Sequence, residues 1–196
     1  MRRALRSLRR DRRGISAVEF GLVVPVLLLA LLGLLDLGYN MYTAAILEGS
    51  IQAAARNSTL EDATTNVAAI DAKVTSAVRD IAPLATITFK RTAYKSFSSQ
   101  GKAEDYTDTN KNGRCDMGEP FEDVNENGTW DQDRGKAGLG SARDIVVYLV
   151  TVTYPRPFPV NGLLGGSPTY TMESRSVLAN QPWENVPKSP PIGQCK

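Results

Sequence analysis

The sequence predicts an α+β protein with a long N-terminal helix, a short second helix and a small antiparallel sheet. Three patterns carry that prediction. Across residues 15–35 the only charged side chain is Glu19, and apolar residues then recur at three- and four-residue spacings to about Arg56. Val67, Ile70, Val74, Ala77, Val78 and Ile81 fall on one face of a second helix that ends before Pro83. Downstream, residues 85–94 alternate polar with apolar, as a half-buried strand does, and residues 145–154 are apolar or aromatic almost throughout, as in a central strand covered on both faces.

The first helix is long enough to cross a bilayer, because 21 residues at about 1.5 Å each cover roughly 31 Å. Before it stand seven arginines against one acid, Asp11. That excess places the N-terminus in the cytoplasm and the rest of the chain outside. A cleavable secretory signal needs a small-x-small site just after the apolar run, and Leu34-Leu35-Asp36-Leu37-Gly38-Tyr39-Asn40 offers none. Pro25 removes one backbone donor and favours a kink that membrane helices tolerate. The expected organisation is a basic leader over residues 1–14, a transmembrane and stalk helix over 15–56, and an external α+β domain over 57–196 carrying an acidic insert at 104–136.

At the junction of leader and helix, Arg12-Arg13-Gly14-Ile15-Ser16-Ala17-Val18-Glu19-Phe20 resembles the processing site of type IV pilin precursors. The resemblance implies that a prepilin peptidase cuts after Gly14 and leaves Glu19 as the fifth residue. A carboxylate in an apolar helix costs several kcal/mol unless paired. The freed amine of Ile15 lies about one turn from Glu19, so pairing with a neighbouring subunit neutralises both in lipid. The alternative is an uncleaved anchor with Glu19 near the headgroups beside Arg12 and Arg13. More of the segment resembles one branch, the TadE-like pseudopilins of the Tad (Flp) pilus system. The matching features are the run from Ala17 to Pro25, the leucine-rich stretch, Asp36 at its end, and Ala53-Ala54-Ala55-Arg56, with a further likeness at residues 177–183. That resemblance implies a pilin-like architecture and, as partners, other Tad pilins and an inner-membrane assembly platform.

Composition narrows the function. Residues 1–14 form a +6 block in a chain of formal charge +2, so the remainder carries −4. The basic cluster is used at the membrane face, which argues against a nucleic-acid partner. The chain has no histidine, which excludes Ser-His-Asp and Cys-His catalysis and histidine zinc sites. Without a nucleophile–base set or a phosphate loop, the protein is expected not to be an enzyme. Cys115 and Cys195 both fall on the non-cytoplasmic side, where disulfides persist. An intramolecular bridge between them is expected, with two free or intermolecular thiols as the alternative.

Residues 170–178 form a third strand candidate, reached from the second through a proline- and glycine-rich loop over 155–168. The tail over 182–191 is proline-rich and reads as extended.

The insert carries a calcium-loop pattern. Asp108, Asn110, Asn112, Asp116 and Glu119 occupy positions 1, 3, 5, 9 and 12, Gly113 occupies position 6, and the Arg114 carbonyl is the position-7 ligand. The pattern returns as Asp123, Asn125, Asn127, Gly128 and Asp131, but position 12 is Arg134. Asp133 is the substitute acid expected there. Only Pro120, Phe121 and Glu122 separate the loops, too few for paired EF-hand helices, and the arrangement resembles the tandem calcium repeats of thrombospondin type 3 regions. Residues 102–136 hold ten acids against five bases, so Ca²⁺ is the expected cofactor and is expected to order the segment. A solvated Asp/Asn/Gly turn region that binds nothing is the competing account.

Two functions from different classes result. The first is a minor pilin or pseudopilin of the bacterial inner membrane, possessing one span and a periplasmic domain. The second is an uncleaved, signal-anchored calcium-binding module that contacts other cell-surface proteins.

Overall fold

The computed structural model describes residues 14–58, 67–158, 160–180 and 189–196. The arginines of the leader and most of the proline-rich tail lie outside the described residues; of the helix break expected at residues 57–59, Asn57 and Ser58 are instead helical. The elements are helix α1 (Ile15–Ser58), helix α2 (Val67–Arg79), strand β1 (Thr86–Tyr94), strand β2 (Pro120–Glu122), strand β3 (Lys136–Ala137), strand β4 (Ile145–Pro155), the single turn α3 (Val160–Leu163), strand β5 (Thr169–Ala179) and strand β6 (Ile192–Gln194). This is the α+β class: a long apolar helix, a short helix and a small antiparallel sheet.

The chain divides into two units. One holds the chain up to Tyr42 together with Pro155–Tyr170. Its part of α1 is long and apolar enough to cross a membrane, and none of the most apolar stretch is buried within the protein. Pro25 lies inside the helix. Where the apolar run ends, Asp36 is buried and forms an ion pair with Arg156. Asn40, one turn further on, donates to Asp36 at 3.2 Å. Arg156 also lies over the Tyr170 ring, 4.9 Å from its centroid.

The second unit holds Thr43–Tyr154 and Thr171–Lys196. Thr43, Leu47, Ile51 and Ala54 form its buried stripe on α1, at the four- and three-residue steps of one helical face. Ala44 and Ala45, which the recurrence of apolar residues also picks out, are exposed. On α2 the buried residues are Ile70, Val74 and Val78. The larger sheet has the order β3-β1-β4-β5, with β1 antiparallel to both β3 and β4. Thr153 and Thr171 share a hydroxyl contact of 2.9 Å and Thr151 donates to Glu173, so partners step in opposite directions along β4 and β5. That is antiparallel pairing.

β4 is central by pairing, but it is covered on one face only. Val146, Tyr148, Val150, Val152 and Tyr154 are buried, while the alternate residues are only half-buried. The run of β-branched and aromatic residues therefore overstates the burial of the second face. On the covered face Arg91 of β1 lies 4.3 Å from the Tyr148 ring centroid and pairs with Asp71 of α2 through two guanidinium nitrogens. Tyr148 donates to the same carboxylate at 2.6 Å. Burial and the Asp71 charge push the Tyr148 phenol far above its ordinary value. One carboxylate thus fixes α2 against both β1 and β4.

Candidate functional site

Gly14, Ile15 and Glu19 stand together at the start of α1. Val18 donates to the Gly14 carbonyl at 3.1 Å, so Gly14 closes the first helical turn. All three residues are exposed. Glu19 follows Ile15 by four positions, one turn along the same face.

The acidic insert belongs to the second unit and consists of two loops with the same wiring. In the first, Asp108 accepts from the backbone of Asn112 at 3.1 Å and of Gly113 at 2.8 Å. Asn110 accepts from Asn112, and Asn112 from Arg114. In the second, Asp123 accepts from Asn127 at 3.0 Å and Gly128 at 2.8 Å, Asn125 accepts from Asn127, and Asn127 accepts from Thr129. These are Asx turns, which the Asp/Asn/Gly spacing favours. The fourth residues, Lys111 and Glu126, have φ of 62° and 60°, and the sixth, Gly113 and Gly128, both have φ of 77°. Left-handed backbone at position six is what glycine supplies without a steric penalty.

Position nine is equally matched. Asp116 accepts from the side-chain amides of Asn110 at 2.7 Å and Asn112 at 2.5 Å, and Asp131 from those of Asn125 and Asn127 at 2.7 and 2.6 Å. The hydrogen bond from Asn110, followed by that from Asn112, holds the Asp116 carboxyl below its ordinary pKa. In this structure both carboxylates accept amide hydrogens, and among the described residues no three His, Cys, Asp or Glu side chains come together as a metal-holding group.

The twelfth position is where the structure departs from the sequence pattern. Glu119 is buried and accepts from the backbone of Thr109 at 2.8 Å and Asp116 at 2.9 Å, the second and ninth residues of its loop. In the second loop those two donors, Val124 and Asp131, go to Glu104 at 2.8 and 3.1 Å. Glu104 is 2% exposed and lies upstream of both loops. Asp133 does not take this place. It accepts from the Tyr94 hydroxyl at 2.9 Å and from the Gly135 backbone at 3.2 Å. Burial first, and then the hydrogen bond to Asp133, push the Tyr94 phenol up to about 12.

Arg134 has a different use: its guanidinium donates to the Ala103 carbonyl and pairs with Asp105 at 3.1 Å. Backbone bonds from Glu104 to Asp131 and from Arg134 to Lys102, with Trp130 donating to the Glu104 carbonyl at 2.9 Å, complete the cross-connection. The available sequence signal was an acid without a role just before the first loop, but its assignment requires knowing that residues 102–105 lie beside 131–134.

Cys115 and Cys195 are joined by a disulfide, with Cα atoms 5.6 Å apart. β2 pairs antiparallel with β6, the Cys195 amide donates to the Glu119 carbonyl at 2.9 Å, and the Gly118 amide donates to the Cys195 carbonyl at 3.0 Å. The C-terminal residues therefore close over the first loop. Gly193 is needed there, because a Cβ would collide with the buried ring of Phe121.

The exposed apolar helix is long and apolar enough to anchor in a membrane the α+β region that follows it in the chain. Residues 14–56 match the model of the family described as TadE-like protein, which supports a relation to the Tad pilus. That match covers the described start of α1 and nearly its whole length, and leaves the acidic loops outside. No curated protein and no solved structure matches the chain.

Proposed function

We propose that this protein is a minor pilin or pseudopilin for assembly of a Tad (Flp) type IVb pilus. The observation that carries the reading is the TadE-like match over residues 14–56, which begins at Gly14. In this proposal a prepilin peptidase removes residues 1–14 from an inner-membrane precursor with a cytoplasmic N-terminus and a periplasmic C-terminal domain. Glu19 then meets the new amine of Ile15 on a neighbouring subunit, and the partners are other Tad pilins and the inner-membrane assembly platform. Its role is assembly through helix packing, with no catalysis of its own.

Intact-mass analysis of membrane-purified protein tests this directly. Loss of residues 1–14 is expected, and Gly14→Ala leaves the precursor uncut. A functional protein that keeps all 14 residues overturns the assignment in favour of an uncleaved anchor.

The repeated wiring of the insert favours a second reading, that the external domain takes Ca²⁺. The donors are all oxygens, the chemistry that a hard cation prefers: carboxylates and amides of Asp108, Asn110, Asn112, Asp116 and Glu119, and of Asp123, Asn125, Asn127, Asp131 and Glu104. Affinity belongs in the extracellular range of about 10⁻⁴ to 10⁻³ M. Titrating CaCl₂ into the purified protein should release or absorb heat and raise the melting temperature. No heat with an unchanged midpoint overturns the calcium reading and leaves the pilus reading untouched.

A further inference from the structure

We propose that the turn formed by residues 160–164 is a second membrane contact, resting in the lipid headgroup layer beside the end of the apolar helix. The inference rests on reading residues 15–35 as a membrane span. Asp36 follows that run, about 31 Å of helix after its start, so its carboxylate falls where hydrocarbon gives way to headgroups. Arg156 is paired with Asp36, which fixes the segment leaving β4 at that level within the same unit.

The segment suits a lipid surface chemically. Between residues 155 and 170 the only charged side chain is Arg156, already matched by Asp36. At the tip, Leu163 and Leu164 are 68% and 72% exposed although they are adjacent and apolar. The backbone of the tip is closed on itself. Leu164 donates to Val160 at 3.1 Å, Gly165 to Gly162 at 3.3 Å and Gly166 to Asn161 at 2.6 Å. A turn that satisfies its Leu164, Gly165 and Gly166 amides internally strands fewer donors at the headgroup and acyl boundary, where headgroups serve the rest, and two leucines give it apolar area to bury there. The apolar tip thus continues the lipid-facing surface of α1 through the Asp36–Arg156 link.

The experiment uses the full chain in phosphatidylethanolamine–phosphatidylglycerol vesicles. Since Cys115 and Cys195 are bonded to each other, a nitroxide goes to a single new thiol, in Leu164→Cys or, as a depth control, in Leu27→Cys. Collisions with oxygen, which concentrates in lipid, are compared with collisions with a water-soluble nickel chelate. Both sites should favour oxygen, with Leu164 shallower than Leu27, and adding Arg156→Gln should restore nickel collisions at Leu164. If Leu27 is in lipid while Leu164 remains open to nickel, this inference fails and the span stands. If both sites are open to nickel, the span fails with it. Shielding of Leu164 from both reagents, with dipolar broadening between labels, would identify a second copy as the occupant and overturn the lipid assignment.

Discussion

A carboxylate that receives backbone amides from both ends of a turn fixes the turn's width, and Glu119 and Glu104 do this in the two acidic loops. Glu104 is buried, so removing it takes away the side-chain acceptor of the Asn125 and Asp131 amides and leaves Val124 only the Glu122 carbonyl. An unsatisfied buried donor costs about 1–3 kcal/mol, and Glu104→Ala should therefore destabilise the protein by roughly 2–4 kcal/mol in denaturant unfolding. Glu104→Gln, which keeps the shape and removes the charge, should weaken the calcium heat of the second loop and spare that of the first. Asp133→Ala should leave both heats intact and instead bring the Tyr94 phenol from about 12 toward its ordinary value of 10.0, read by ultraviolet absorbance during an alkaline titration. Because the Tyr94 pKa is raised by folding, its stabilising contribution is complete below pH 10 and disappears as the pH passes about 12. A loss of the second calcium heat in Asp133→Ala would return the twelfth position to that residue.

Among the elements, those with a long periodic signal are legible in the sequence and the short ones are not. α1, α2, β1, β4 and β5 repeat their patterns often enough for period alone to identify them. β2, β3 and β6 have two or three residues each, and a strand of that length exists only because a partner is placed beside it. Pro120 and Gly193 would argue against strands on propensity, yet Pro120 sits at a strand start and Gly193 gives Phe121 room. The loops follow the same division. Asp, Asn and Gly at fixed offsets announce each turn locally, whereas the Glu104 substitution depends on residues about 20 to 27 positions away being folded back by Arg134 and Trp130. The helix–sheet clamp of Asp71, Arg91 and Tyr148 is non-local too, and in sequence Asp71 looks like an ordinary polar-face residue of α2.

At the scale of the molecule, the disulfide and the β2–β6 pair tie the C-terminus to the acidic insert across a sequence separation of 80 residues. Closing a loop of that length removes freedom from the unfolded chain worth about 4–5 kcal/mol in the chain-entropy picture. The native side of the balance should contribute less, because the three residue pairs of β2 and β6 do not depend on the sulfur–sulfur bond. The double variant Cys115→Ser/Cys195→Ser should therefore fold with the same secondary structure but unfold at lower denaturant, by a margin near that figure, and reductant should move the wild-type protein to the same midpoint. The calcium heat of the first loop should weaken in parallel, since Cys115 lies within that loop and the bonds linking Glu119 and Gly118 to Cys195 hold its far end. Equal midpoints for oxidised protein, reduced protein and the double variant would show that the acidic insert is held by its hydrogen bonds alone.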